Sequence, residues 1–254
     1  MAGYADRLFD LTGKVVVVTG GSRGLGKEIA FACAHVGADV VIASRDRESC
    51  ERTAAEIEAA TGRSAMPYPV HVGRWQQLDA FVDAVYARFG KADVLVNNAG
   101  MSPVYDTLTD VSEKLVDAVL NLNLKGPFRL CALFGERMRA AGSGSIINVS
   151  STGSLRPDAS ILPYAAAKAG LNALTEGFAQ ALSPAVRVNT LMPGPFFTDI
   201  SKAWDREVID AGLARHAQRR AGEPAEIVGA ALYLACDAAS YTTGATIRVD
   251  GGIP

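Results

Sequence analysis

Short apolar runs rich in β-branched residues alternate along this chain with longer stretches in which apolar positions recur every three or four residues. Residues 15–19, 39–44, 65–70, 94–97, 145–150, 186–191 and 246–249 read as strands. Most are apolar throughout, the pattern of strands covered on both faces. Between them, residues 24–36, 47–61, 76–89, 112–140, 163–182 and 224–236 carry helical periodicity, and Pro224 suits a first helical turn. Repeated strand–helix–strand units with right-handed crossovers predict an α/β fold built on a parallel, doubly wound sheet. A (β/α)8 barrel, the competing architecture at this length, needs an eighth strand and places its phosphate site late in the chain. With no repeat or linker, residues 1–254 read as one domain. The rhythm breaks at 193–220, where Pro-Gly-Pro, two phenylalanines, Trp204 and a charged amphipathic stretch predict a substrate lid around 195–220.

The first strand runs straight into Thr19-Gly20-Gly21-Ser22-Arg23-Gly24-Leu25-Gly26 and then a helix. Glycines let the backbone turn tightly and approach a pyrophosphate, whose charge a helix N-terminus stabilises. At a first strand–helix junction this predicts dinucleotide binding, although the spacing is T-G-x-x-x-G-x-G rather than G-x-G-x-x-G. The second strand ends Ile42-Ala43-Ser44-Arg45, without the carboxylate that commonly binds an NAD ribose. Arg45 and Arg23 are available to pair a 2′-phosphate, so NADP is the better fit; Asp46 keeps NAD open.

Tyr164 and Lys168 lie four residues apart in a helical stretch, on one face. A cation about 4 Å away at an effective dielectric of ~20 favours a phenolate by roughly 4 kcal/mol, about three pKa units before desolvation. That predicts a lowered tyrosine pKa and an acid/base group usable near neutral pH.

The chain of 254 residues is 49% hydrophobic and 20% charged, with a net charge of −2. The charges are interspersed, so neither nucleic acid nor a membrane is an expected partner. Cys33, Cys50, Cys131 and Cys236 are scattered, and His35, His71 and His216 are isolated; no metal site is expected, and the thiols read as reduced. Asp6, Arg7 and Asp10 stand where a signal peptide would be apolar, and no apolar run approaches a membrane span, so a soluble, cytoplasmic protein is expected.

Taken with Asn97-Asn98-Ala99-Gly100, Asn123 in Asn-Leu-Lys-Gly, Ser150-Ser151, Pro193-Gly194, Thr198 and Val249-Asp250-Gly251-Gly252, these motifs span nearly the whole chain. The chain resembles the short-chain dehydrogenase/reductase family, including its 3-oxoacyl carrier-protein reductases and sugar-acid dehydrogenases. The resemblance implies a seven-stranded Rossmann-type sheet with helices on both faces, a nicotinamide cofactor, and four catalytic residues. Tyr164 would exchange a proton with the substrate oxygen, and Lys168 would lower its pKa and bind the nicotinamide ribose. Ser151, thirteen residues before the tyrosine, would hold the substrate oxygen, with neighbouring Ser150 facing the other way. Asn123 would hold a water relaying protons through Lys168.

The cofactor contacts implied are Gly20, Ser22, Arg23, Gly24, Leu25, Gly26, Ser44, Arg45, Asn98, Ala99 and Gly100. Pro193, Gly194 and Thr198 would cradle the nicotinamide amide. After the third strand the family often has an aspartate on adenine; this chain has His71-Val72-Gly73.

Met101, Leu155, Arg156, Phe196, Phe197 and Trp204 fall near the expected nicotinamide end and suit a carbonyl or alcohol substrate of medium size. The expected activity is ketone reduction or secondary-alcohol oxidation; a non-catalytic NADP sensor and an epimerase or dehydratase are the alternatives. The family implies a homotetramer, for which residues 112–140 and 163–182 supply apolar surface.

Overall fold

The computed structural model describes residues 3–198 and 212–253. Its strands are β1 (Val15–Thr19), β2 (Asp39–Ser44), β3 (Ala65–Pro69), β4 (Val94–Asn97), β5 (Gly144–Val149), β6 (Val186–Pro193) and β7 (Thr246–Val249). All pair in parallel, in the order β3-β2-β1-β4-β5-β6-β7. This is the doubly wound sheet expected, and the barrel is excluded.

The helices are α1 (Tyr4–Leu8), α2 (Gly24–His35), α3 (Arg47–Thr61), α4 (Trp75–Phe89), α5 (Glu113–Leu120), α6 (Gly126–Ala141), α7 (Leu162–Ala181) and α8 (Val228–Ala235). Two differ from expectation. The stretch 112–140 is split: Ser112 caps α5 by accepting from the Leu115 amide at 3.2 Å, and a π-helical turn, Asn121–Lys125, joins α5 to α6. The segment opening at Pro224 begins as a 3-10 turn, Pro224–Ile227, before α8.

Apolar strands are explained by two cores, one on each side of the sheet. Val16, Val18, Val40 and Ile42 pack with Ile29, Cys33, Ile57 and Leu234 on one face. Val15, Val17 and Val41 pack with Leu78, Phe81 and Phe134 on the other. Phe81 and Phe134 are fully buried and meet edge to face at 6.1 Å. Each such side chain contributes about 1.5–3 kcal/mol through burial.

The register aligns the carboxyl ends of the strands. Thr19 stands opposite Ala43 and Asn97, Asn97 opposite Asn148, and Asn148 opposite Thr190. Because β1 lies between β2 and β4, the chain leaves it on one side and returns on the other. That switch opens a crevice beyond the carboxyl ends, where open α/β sheets bind ligands.

Candidate functional site

The glycine turn at the end of β1 is shaped by close approaches rather than by side chains. A Cβ on Gly26 would lie 2.3 Å from the Gly20 carbonyl oxygen and 2.4 Å from Asn98 Nδ2. Gly20 itself has φ +65°, in the left-handed region. Asn98 closes this turn from β4, donating through Nδ2 to the carbonyls of Thr19 (3.0 Å) and Gly20 (3.2 Å). The Thr19 hydroxyl in turn accepts from the amides of Asn98 (3.0 Å) and Ala99 (3.1 Å). The sequence signal for this role of Thr19 is a single hydroxyl ending the otherwise apolar run Val15–Thr19. Leu25 packs against the core, anchoring the first turn of α2. Arg23, the N-cap of α2, forms no side-chain cap, so the helix's leading amides meet the crevice uncapped.

At the end of β2, Ser44 Oγ lies 2.9 Å from Ser22 Oγ and 3.1 Å from Cys50 Sγ, and Thr53 Oγ1 donates to the Ser22 carbonyl at 3.2 Å. Arg23 and Arg45 are exposed, and neither pairs with a carboxylate among the described residues. Asp46 is committed elsewhere: it caps α3 by accepting from the Ser49 amide at 2.6 Å, and the Ser49 side chain, then that amide, lower its pKa. His71 accepts the Gly73 amide on Nδ1 at 3.1 Å. Burial first, then the nearby charges of Arg45 and Arg74, lower its pKa.

Lys168 is 3% exposed on α7, and its Nζ donates to the Val149 carbonyl at 2.7 Å. Nζ lies 5.7 Å from the Tyr164 ring centroid. Burial lowers the lysine pKa from 10.5 to about 8. Tyr164 departs from expectation: its pKa is raised, because desolvation outweighs a hydrogen bond with the Ser151 hydroxyl that pulls it down. The expected lowering holds for a cation about 4 Å away and before desolvation; here desolvation dominates and the ammonium donates to β5.

Ser151 and Ser150 diverge. Ser151 Oγ accepts from the Gly153 amide at 3.1 Å and meets Tyr164, whereas buried Ser150 Oγ donates to the Lys168 carbonyl at 3.3 Å.

Asn123 is fully buried in the π turn. Its Nδ2 donates to Met101 O and Val119 O, both at 3.0 Å, and its Oδ1 accepts from the Met101 amide at 3.2 Å. The side-chain amide is therefore fully used, bridging the chain after β4 at Met101 to the end of α5 at Val119. A Cβ on Gly100 would fall 2.8 Å from Asn123 Oδ1 and 3.7 Å from Lys168 Nζ, so these three converge. Beneath them Asn97 Nδ2 donates to Asn148 Oδ1 (2.9 Å) and Asn148 Nδ2 to Thr175 Oγ1 (3.0 Å), tying β4 to β5 and α7.

Pro193 ends β6 opposite Val249, and the Gly194 amide donates to Val249 O at 2.9 Å. Thr198 comes over the glycine turn: a Cβ on Gly24 would lie 3.6 Å from its side chain. Phe196 is 6% exposed and belongs to the core beside α2 and α8 rather than to a pocket. Its ring fills the space a Cβ on Gly222 would need. Leu155 is exposed and Met101 half-buried. Trp204 and residues 199–211 of the expected lid lie outside the described residues. All four cysteines are buried and free. Among the described residues no group of His, Cys, Asp and Glu is placed to hold a metal, and no helix is long and apolar enough to cross a membrane.

Residues 20–254 match a family model described as enoyl-(acyl carrier protein) reductase. A short chain dehydrogenase/reductase of Aspergillus oryzae is 36% identical over 98% of this chain and 97% of its own length. A 3-oxoacyl-(acyl-carrier-protein) reductase of Thermotoga maritima is 34% identical over 96% of this chain and 98% of its own. A gluconate 5-dehydrogenase from Burkholderia cenocepacia, solved in complex with NADP and tartrate, has a TM-score of 0.93 at 33% identity, covering 98% of each chain.

Proposed function

The chain belongs to the short-chain dehydrogenase/reductase family of NAD(P)-dependent oxidoreductases, and from that premise we propose that it interconverts a ketone and a secondary alcohol, using NADP. The observation that carries this reading is the convergence of Ser151 and Tyr164, whose side chains a Cβ on Gly153 would meet at 3.4 and 3.9 Å, with the buried Lys168 ammonium beside them at the carboxyl end of the sheet.

The residues fit a dinucleotide. Gly20, Gly24 and Gly26 would let the backbone approach a diphosphate, which Ser22, Leu25, Thr198 and the uncapped start of α2 would hold. Arg23 and Arg45, with Ser44, would take the 2′-phosphate, Asp46 being occupied as a cap. The NADP-bound gluconate 5-dehydrogenase accords with this choice; NAD binds the same cradle more weakly. Asn98, Ala99 and Gly100 line the groove, and Pro193 and Gly194 support the nicotinamide end.

When bound, the cofactor supplies or takes up the hydride. The protein's part is position and the proton. Ser151 Oγ and Tyr164 Oη grip the substrate oxygen together. During reduction Tyr164 gives its proton to that oxygen as the carbonyl carbon receives hydride, leaving a secondary alcohol. Lys168 stabilises the charge left on the phenol and passes a replacement proton from water near Asn123, whose own amide protons are taken by the carbonyls of Met101 and Val119. A phenol is already protonated at neutral pH and burial raises the Tyr164 pKa further, so the resting site holds the proton that reduction uses.

Replacing Tyr164 with Phe tests the reading. Turnover should fall by about 10²–10⁴-fold, the usual worth of a positioned acid, with NADPH affinity retained. A near-normal rate refutes the mechanism. The substrate is a small-molecule carbonyl or alcohol of medium size, the chain is a single domain, and the assembly is a cytoplasmic homotetramer; these complete the proposal.

A further inference from the structure

Helix α7 begins badly by its own sequence. Its N-cap, Ile161, has no side-chain acceptor, and Pro163 in its first turn has no amide to offer. The acceptor comes from elsewhere: the Leu162 amide donates to Tyr105 Oη at 2.9 Å, across 57 residues of sequence. The same hydroxyl donates to the Ala159 carbonyl at 2.8 Å. One phenol thus satisfies a donor and an acceptor on the segment that leads into Tyr164, two residues further on.

Tyr105 sits in the segment after β4, and that segment is pinned again four residues earlier, where Asn123 takes both the amide and the carbonyl of Met101. Between the pins, Val104 is 58% exposed, so its side chain does not anchor this stretch in the core. Its two anchors are the π turn bearing Asn123 and the start of the helix bearing Tyr164 and Lys168.

We propose that Tyr105 is a positioning residue: it latches the segment after β4 onto the start of α7, so that this wall of the cleft and the helix bearing Tyr164 form one rigid piece. The proposal rests on the reading of Tyr164 given above. No atom of Tyr105 is required to touch substrate.

The test is Tyr105→Phe in the full chain loaded with NADP, which keeps the ring and removes only the hydroxyl. Amide hydrogen exchange should quicken together at residues 101–107 and 160–165, by roughly tenfold for two lost hydrogen bonds, with residues 15–26 unchanged. Kinetics with NADPH and ethyl acetoacetate, a small β-keto ester, should show kcat reduced and the ester's KM raised, with the NADPH Kd within twofold of wild type. Unchanged exchange in either segment overturns the latch. So does equal loosening of the glycine turn, which would mark a general loss of stability. The exchange measurement decides whether or not that ester is turned over. Failure of the chemical reading shows elsewhere, as residual turnover in Tyr164→Phe, and leaves the exchange result standing.

Discussion

Lys168 is an ammonium held among buried groups with one carbonyl as its partner, and its depressed pKa records what that costs. A drop from 10.5 to about 8 corresponds to roughly 3 kcal/mol of disfavoured charge at neutral pH. Below pH 8 the amine is charged in both the folded and the unfolded chain, and the penalty is present in full. As pH rises from about 8 toward 10.5 the folded amine loses its proton first and the penalty disappears. Lys168→Met should therefore abolish turnover yet stabilise the cofactor-free protein at pH 7 by about 1–2 kcal/mol, after about 1 kcal/mol lost with the Val149 hydrogen bond. Urea unfolding at pH 7 and pH 10 checks this: the gain should shrink at the higher pH, and a gain that grows would contradict the depressed pKa. Tyr164 moves the opposite way, since burial raises it. On the proposed mechanism alcohol oxidation needs the phenolate, so its rate should climb with pH across the alkaline range, while carbonyl reduction should run at neutral pH.

At the scale of elements, the glycine turn makes the sharpest demand. Gly26→Ala would drive a methyl against the Gly20 carbonyl and Asn98 Nδ2, both less than 2.5 Å away. The turn must open, and NADPH affinity should fall at least tenfold in a fluorescence titration, with the far-UV circular dichroism of the sheet retained. At the neighbouring strand end, Arg45→Ala should weaken NADPH by about tenfold and leave NADH almost unchanged, because only one of them carries the phosphate; equal weakening would remove Arg45 from that role. Much of this was legible beforehand because apolar strands and glycine spacing are local signals. Val15–Thr19 announces itself by composition, and Gly20–Gly26 by the absence of side chains. Three features were not legible. The helical period runs unbroken through 121–125, since a π turn adds a residue without changing the kind of residue. Phe196 follows a strand end as a pocket residue would, but the missing side chain of Gly222 draws its ring into the core. Tyr105 helps Leu162 only through three-dimensional proximity, which no spacing rule encodes.

Over the whole molecule, apolar surface gathers on the side of α4, α6 and α7. Trp75 and Phe128 stack at 6.3 Å while 38% and 40% exposed, and Phe128 meets Phe178 at 5.4 Å. A patch of this kind matches the proposed homotetramer, in which a second copy would cover it. Phe128→Glu should reduce the sedimentation coefficient toward that of a smaller species while leaving the unfolding transition cooperative; an unchanged coefficient would place the contact elsewhere. The π turn between α5 and α6 bears on the same surface. Each helical residue advances the chain by about 100°, so excising one residue from 121–125 would give a smoother rod by swinging α5 through more than a quarter circle about its axis. Ser112, Leu115 and Val119 would then face new neighbours. A single-codon deletion there would improve the local geometry and misalign half of the helix, which makes the irregularity an indexing tooth rather than a flaw.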